Sequence, residues 1–390
     1  MADALPNPFA SALAEEAREF GLRYSNDDRP GIRRKASGKG FIYSRANGAT
    51  VRDAPTLLRI KRLAVPPAWT KVWISPHENG HIQATGRDAR SRKQYRYHSH
   101  WRQQRDENKF GRMLVFARAL PRIRRRVERD LTRPGMPREK VLATVVRLLE
   151  MTLIRIGNDE YVRQNDSYGL TTMRNRHARV NGSLIQFTFR GKSARKHEIS
   201  VRDPQLARIV RRCQDMPGQD LFLYEDADGH VHDVRSQDVN EYLRAISGED
   251  FTAKDFRTWA GTVLAAISLR TLPATRNAVQ AKKNIAIAIA AVAKLLGNTP
   301  AICRKCYVHP EIPNAYLSEK TIATRSRPVA DRIKGPRSQL SSEEAAVLDL
   351  LQRRLRHKEG RLAERGTIRF AQQERSKKGE RIRVSKPAKR

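Results

Sequence analysis

Only three cysteines occur among the 390 residues: Cys213, Cys303 and Cys306. So few cannot build a disulfide framework, and the count fits a reducing compartment. Long apolar runs are also missing. The longest, near Ile285–Ala293, is short of a membrane span and is bracketed by Lys282, Lys283 and Lys294. The opening stretch MADALPNPFASALAEEAREF carries acidic residues early and has no continuous apolar core, so it does not read as a secretory signal. No glycine-rich loop ending in lysine and no acidic metal triad is present. Together these absences predict a soluble, cytoplasmic protein that needs no nucleotide cofactor, no metal and no membrane.

Acid is the scarce charge. Only 41 Asp and Glu stand against 77 Lys and Arg, which leaves a net charge of +36. An excess of this size points to a polyanionic partner, nucleic acid first and an anionic membrane second. The chain is long enough for two or three domains, and its 39% apolar content can fill their cores.

Residues 1–36 mix charge with the breakers Asp27-Asp28-Arg29-Pro30-Gly31 and read as a flexible arm or short helix. From Gly40 short strands take over. Phe41-Ile42-Tyr43 and Ala49-Thr50-Val51 flank Asn47-Gly48, which predicts a hairpin. A helix is expected over Leu57–Leu63, stopped by Pro66 and Pro67. Val72-Trp73-Ile74 and the run from His81 to Ala84 flank a second pair, Asn79-Gly80. This gives a small β-rich domain over residues 37–104. Its end, Gly86–Trp101, alternates basic residues with Tyr95, Tyr97 and Trp101. Guanidinium and ammonium groups there can reach phosphates while rings pack on sugars or bases. Arg92, Lys93, Gln94, Tyr95 and Tyr97 are therefore candidate DNA contacts. A solvated edge strand with half-buried tyrosines is the plainer alternative.

A larger, mainly helical domain follows over residues 105–320. A basic helix over 110–132 is expected to break or kink at Pro121. A core helix starts near Pro137 and runs to a stop at Gly157, with Arg155 in its last turn. A charge in that place wants a partner, and Asp159 or Glu160 would serve. Strands resume over 169–201, where Ile185, Phe187 and Phe189 alternate with Gln186, Thr188 and Arg190. They lead to a hairpin tip, Gly191–Arg195, that carries Lys192. Helices return over 201–215 and 236–246, and a third opens at Thr252 with Arg257 near its start. The stretch from Leu295 to Pro310 ends in Tyr307, close behind Arg304 and Lys305, and a phenol beside two cations suits a phosphate. Cys303, Cys306 and His309 have ligand-like spacing, but structural zinc takes four protein ligands, so they read as ordinary helix residues. Beyond residue 320 a basic tail holds one helix, capped by Ser341 or Ser342, and a Lys/Arg-rich end.

Four segments stand in one order: LIRIGND, FRGK, KDFRTWAG and LGNTPAICRKCYVHP. Together they resemble the catalytic set of type IB DNA topoisomerases, in the small poxvirus and bacterial form. GRDARSRKQYRYH resembles the segment with which that family's N-terminal domain contacts DNA. The resemblance spans roughly residues 35–320. It implies an α+β architecture: a small N-terminal β-rich clamp domain, then a mainly α catalytic domain with a β-hairpin sheet and a core like that of tyrosine recombinases. It implies Tyr307 as nucleophile, Arg155 and Arg257 as holders of the scissile phosphate, and Lys192 as general acid. Asn298 fills the place where poxvirus enzymes have histidine, and it too can donate one hydrogen bond to a non-bridging oxygen. Tyr161, Arg304 and Lys305 join the candidate DNA contacts. The implied partner is double-stranded DNA, handled by a monomer whose two domains clamp the duplex.

The implied chemistry suits these residue types. Arginine forks strengthen their grip as charge gathers on the equatorial oxygens of the transition state. Phenols ionise near pH ~10, so a cationic pocket must favour the phenolate. The departing 5′ oxygen needs a proton, which a lysine can give. A 3′-phosphotyrosyl bond resembles in energy the bond it replaces, so resealing needs neither ATP nor metal. Two rivals remain. A tyrosine recombinase would carry His-x-x-Arg where this chain has Lys254-Asp255-Phe256-Arg257, and a non-catalytic DNA-binding protein would bury Tyr307 in its core.

Overall fold

The computed structural model describes residues 8–38, 40–89, 91–273, 275, 277–318 and 339–357. The chain divides between Gly111 and Arg112, inside a helix, where the sequence reading placed a boundary at 104 and 105. In the first unit, α1 (Pro8–Glu19) precedes β1 (Ile32–Ser37), β2 (Gly40–Ser44), α2 (Ala54–Arg62), β3 (Thr70–Ile74), β4 (Ile82–Arg87) and β5 (Lys93–Tyr97). The five strands form one antiparallel sheet in the order β2-β1-β3-β4-β5. Helix α2 begins because Asp53 accepts the Thr56 N–H at 3.1 Å and a proline occupies its first turn. It buries Ile60 against Ile32, Val51, Val72, Ile74 and Ala84.

Two expectations shift here. Residues 20–36, assigned to an arm, are built into the unit. Ser25 and Ile32 are buried, Tyr24 stacks on His81 at 4.9 Å, and β1 lies inside the sheet. Leu22 and Ile32 supply apolar area that outweighs the breakers between them. The Asn47-Gly48 turn exists, with Gly48 at φ +84, but it closes only a single bridge, Ser44 to Thr50. Strand β2 also pairs along its whole length with β1, while Val51 keeps its N–H on Tyr43 O at 2.8 Å and its side chain in the core. Strands β3 and β4 pair as expected across the loop that holds Asn79-Gly80.

In the second unit, α3 (Ser99–Leu131, which contains the division) is one helix that Pro121 does not break. Helix α4 (Arg138–Thr152) buries Val141, Leu142, Val145, Leu148 and Leu149. After α5 (Asp159–Asn165) come β6 (Ala178–Asn181), β7 (Leu184–Arg190) and β8 (Lys196–Arg202), an antiparallel sheet in that order. Ile185, Phe187 and Phe189 point inward from β7 and their neighbours outward, the period-two pattern expected of this strand. Helix α6 (Pro204–Gln214) leads to the small pair β9 (Leu223–Glu225) and β10 (Val231–Asp233), then α7 (Ser236–Ser247). Helices α8 (Ala253–Thr271), α9 (Ala278–Leu295), α10 (Pro300–Cys306) and α11 (Glu311–Leu317) follow, and a twelfth, α12, covers 342–357. The architecture is mixed helix and antiparallel sheet, an α+β fold. Among the described residues no single helix is long and apolar enough to cross a membrane.

Helix α12 is a fixed part of the second unit. Its Val347 and Leu351 are buried. Glu344 takes both Arg124 bonds at 2.9 Å and the Trp259 Nε1–H at 3.0 Å, while Glu150 holds the Arg124 Nε at 2.6 Å. Burial opposes the Arg124 charge, yet Glu150 and Glu344 hold its pKa above the ordinary arginine value. Removing one carboxylate leaves a desolvated guanidinium half-paired and the indole N–H without its acceptor. Glu344→Ala is therefore expected to lower unfolding free energy by about 2 kcal/mol, read from a denaturant titration, although it lies far in sequence from the residues of the site. The Lys/Arg-rich end expected beyond α12 lies outside the described residues.

Candidate active site

The site assembles from four pieces of the second unit. The first is the extended stretch after α4. Leu153 adopts φ +57 and ends the helix, so Arg155 lies beyond the last turn rather than in it. Its carbonyl accepts the Leu170 N–H at 2.9 Å, which fixes the backbone there. Its guanidinium donates to Gly297 O at 3.2 Å and to Asn298 Oδ1 at 2.5 Å, rather than to Asp159 or Glu160 as the plainer reading had it.

The second piece is the sharp corner between α9 and α10, where the chain turns by 93°. Thr299 caps α10 with Pro300 in its first turn, leaving Gly297 and Asn298 in the bend. With its oxygen engaged by Arg155, Asn298 keeps Nδ2 buried and without a hydrogen-bond partner among the described residues. The third piece is α8, started by a Thr252/Asp255 capping box. One turn in, Arg257 is only 4% exposed and donates to Leu296 O at 2.7 Å. Its Nε has no partner among the described residues. Burial, with the Arg155 charge added, pushes its pKa down to about 10.

Tyr307 follows the last residue of α10, half-buried, with its ring 5.3 Å from the Arg257 guanidinium carbon. Thr262 of α8 holds this place: its hydroxyl is 3.2 Å from Tyr307 O and accepts the His309 N–H at 3.1 Å. Gly261 allows the approach, since a Cβ there would stand 2.7 Å from Tyr307 O. The fourth piece is the turn from β7 to β8, a single 3₁₀ turn (Lys192–Ala194) with Lys192 exposed at its start. Lys192 lines one cleft with Arg155, Arg257, Tyr168 and His197. Tyr307 reaches that group through Arg257, and Asn298 through Arg155. All five residues singled out from the sequence are thus brought together.

Two neighbours carried no signal in the motifs. Arg195 donates to Asn298 O at 3.3 Å. His197 stacks on Phe189 at 5.1 Å and 14°. Burial, then Arg155, Arg257 and Arg195, push its pKa below the ordinary imidazole value, so the ring is neutral in a cationic cleft. Strand register was the available clue: counted back from the turn, His197 stands opposite the inward-facing Phe189. Among the described residues no carboxylate lines the cleft, which leaves it suited to an anion.

The candidate DNA contacts fall in several places. Tyr95 and Tyr97 are exposed on edge strand β5 and stack at 5.8 Å. Lys93 pairs with Asp27 at 2.9 Å, while Arg92 and Gln94 both bond Asp88. Trp101, grouped with these rings in the sequence, instead packs into the first unit against Ala17 and Leu22, because α3 has begun at Ser99 and turns it inward. Arg304 and Lys305 are exposed on α10. Tyr161 belongs to α5, and its side chain lies outside the described residues. Cys303 is buried, its thiol pushed up to about 11, and His309 Nδ1 accepts the Glu311 N–H at 3.0 Å.

A buried arginine and a half-buried one beside a half-exposed tyrosine, in a cleft with no carboxylate among its described lining residues, define a phosphate-handling site of the DNA topoisomerase class. The family model "Eukaryotic DNA topoisomerase I, catalytic core" matches residues 98–326, which include all five. "Bacterial DNA topoisomerase IB, N-terminal domain" matches residues 40–88. The chain is 32% identical to DNA topoisomerase 1B of Acanthamoeba polyphaga mimivirus over 285 residues, 71% of this chain and 85% of the relative. It is 24% identical over 231 residues to DNA topoisomerase 1B of Vaccinia virus (strain Copenhagen), covering 57% and 68%. A DNA topoisomerase 1 of Mycosarcoma maydis is 23% identical over 42% of this chain and 18% of its own length. The chain belongs to the type IB DNA topoisomerase family.

Proposed function

We propose that the chain relaxes supercoiled duplex DNA by attack of the Tyr307 phenolate, its proton released to water, on a backbone phosphorus. The attack forms a 3′-phosphotyrosyl bond and breaks the bond to the 5′ oxygen, which takes a proton from Lys192. The free strand then swivels, and the reverse attack by the 5′ hydroxyl reseals the strand and releases the tyrosine. Arg155, Arg257 and Asn298 hold the non-bridging oxygens. The observation that carries this reading is the pair of buried donors without partners among the described residues, Arg257 Nε and Asn298 Nδ2, beside the Tyr307 ring. Unpaired buried donors are costly, and a bound phosphate would satisfy both. The test is plasmid relaxation without ATP and in a chelator, by the wild type and by Tyr307→Phe.

In this reading the second unit has the core arrangement shared with tyrosine recombinases, supported by the lysine-bearing β7–β8 turn beside α8 and α10. The enzyme acts as a monomer, since one tyrosine is sufficient for one nick. Its setting is a bacterial cytoplasm and nucleoid, supported by the match to a bacterial N-terminal domain. The basic surface supplies affinity. Duplex binding is expected to weaken about a thousandfold between about 50 and 200 mM salt, as for a protein that neutralises several phosphates. A flat log–log plot of affinity against salt would remove phosphate neutralisation as the source of binding.

A further inference from the structure

We propose that His197 is a positioning residue, a wedge whose ring sets the spacing between the turn that carries Lys192 and the corner that carries Asn298. The ring edge is held between two glycines. A Cβ on Gly191 would stand 2.6 Å from His197 Cδ2, and a Cβ on Gly297 would stand 2.7 Å from His197 Cε1. Each glycine immediately precedes a residue of the site, Lys192 in one case and Asn298 in the other. The opposite wall is Phe189, stacked on the ring and paired with it directly across the two strands. The imidazole therefore touches both backbone segments, and neither can close on the other while it is in place. The charged groups that face it, Arg155, Arg195 and Arg257, disfavour its protonated form, so the wedge keeps one charge state at neutral pH.

The inference rests on the reading of Lys192 as proton donor to the 5′ oxygen. Truncating the ring leaves a gap between Gly191 and Gly297 into which the Lys192 turn can sag. Misplacement on the ångström scale is enough to lose most of a proton transfer. The test is single-turnover cleavage of two duplexes, one with an ordinary phosphodiester and one in which the 5′ bridging oxygen is sulfur. A thiolate leaves without a proton, so the second substrate bypasses the general acid.

His197→Ala is expected to slow cleavage of the ordinary duplex about a hundredfold and of the sulfur duplex only a few-fold. His197→Phe keeps the stack and the wedge and is expected to remain within a few-fold of wild type on both. Gly191→Ala, which pushes on the ring from the other side, is expected to share the selective defect, and it answers the question if His197→Ala does not fold. An equal loss on both substrates, no loss, or a defect in His197→Phe as deep as in His197→Ala would each overturn the proposal. Lys192→Ala runs alongside as the control. If Lys192→Ala shows no preference for the sulfur duplex, the role given to Lys192 fails, and the wedge fails with it.

Discussion

Tyr307→Phe is expected to bind supercoiled plasmid as tightly as the wild type and never to relax it. No covalent protein–DNA adduct should appear on a denaturing gel. The substitution removes one oxygen from a half-buried ring and leaves its contact with Arg257, the Thr262 bond to its carbonyl and the helix end unchanged. The hydroxyl's hydrogen bond with Arg257 is lost, so stability should fall by no more than about 1 kcal/mol, while DNA affinity is kept. The reaction loses its nucleophile outright, and water has no comparable position, so the rate should fall on the order of a millionfold, to background. Wild-type relaxation should persist in a chelator. A variant that still relaxes plasmid would return the chain to reaction by another residue. A wild type inactive under all conditions but competent to bind would leave Tyr307 a packed ring and the chain a binding protein.

Arg257→Ala carries the second large effect, and its sign on stability runs opposite to its sign on activity. Arg257 is 4% exposed beside another cation, its Nε has no partner among the described residues, and its bonds go to the Leu296 carbonyl and the Tyr307 hydroxyl. Such a charge costs the empty enzyme free energy. Replacing it forfeits the bond to Leu296 O and relieves that cost, so unfolding free energy is expected to change by less than about 1 kcal/mol. Activity should nonetheless fall about a thousandfold, the scale of a preorganised donor set removed from an oxyanion or transferring phosphoryl group. Arg257→Lys should recover little, since an ammonium lacks the planar fork. Single-turnover cleavage beside a melting curve separates the two effects. A variant that loses activity only in proportion to a loss of folded protein would take the phosphate role away from Arg257.

Some of this was legible from residue order and some was not. The β7 alternation, the hairpin tip with Lys192 and the helix start at Thr252 depend on local chemistry, and local patterns carry them. The position of Arg155 was missed by a few residues because nothing in the sequence marks Leu153 as a left-handed stop; the usual signal, glycine, comes later, at Gly157. The Asn47-Gly48 turn was legible, as the Ser44–Thr50 bridge and the Val51–Tyr43 bond show, but the longer pairing of β2 with β1 was not, because β1 lies just beyond a sequence stretch that reads as breakers. Trp101 looked like part of a DNA-contacting stripe until the start of α3 turned it inward. His197 and Glu344 act through contacts that join distant parts of the chain. No spacing rule within one segment reveals such contacts, although strand register comes close for His197.

Thr262 has a consequence for the mechanics of the swivel. It joins the carbonyl of Tyr307 to the helix that also bears Arg257, one turn earlier. In the proposed reaction the broken strand is therefore moored at its 3′ side to the same rigid rod that grips the phosphate. Torque in the DNA has no lever by which to pull tyrosine and arginine apart, so twist drains entirely through the unanchored 5′ end. The number of turns released per nick then depends on how soon that end returns, and the protein serves as a fixed bearing rather than a moving gate.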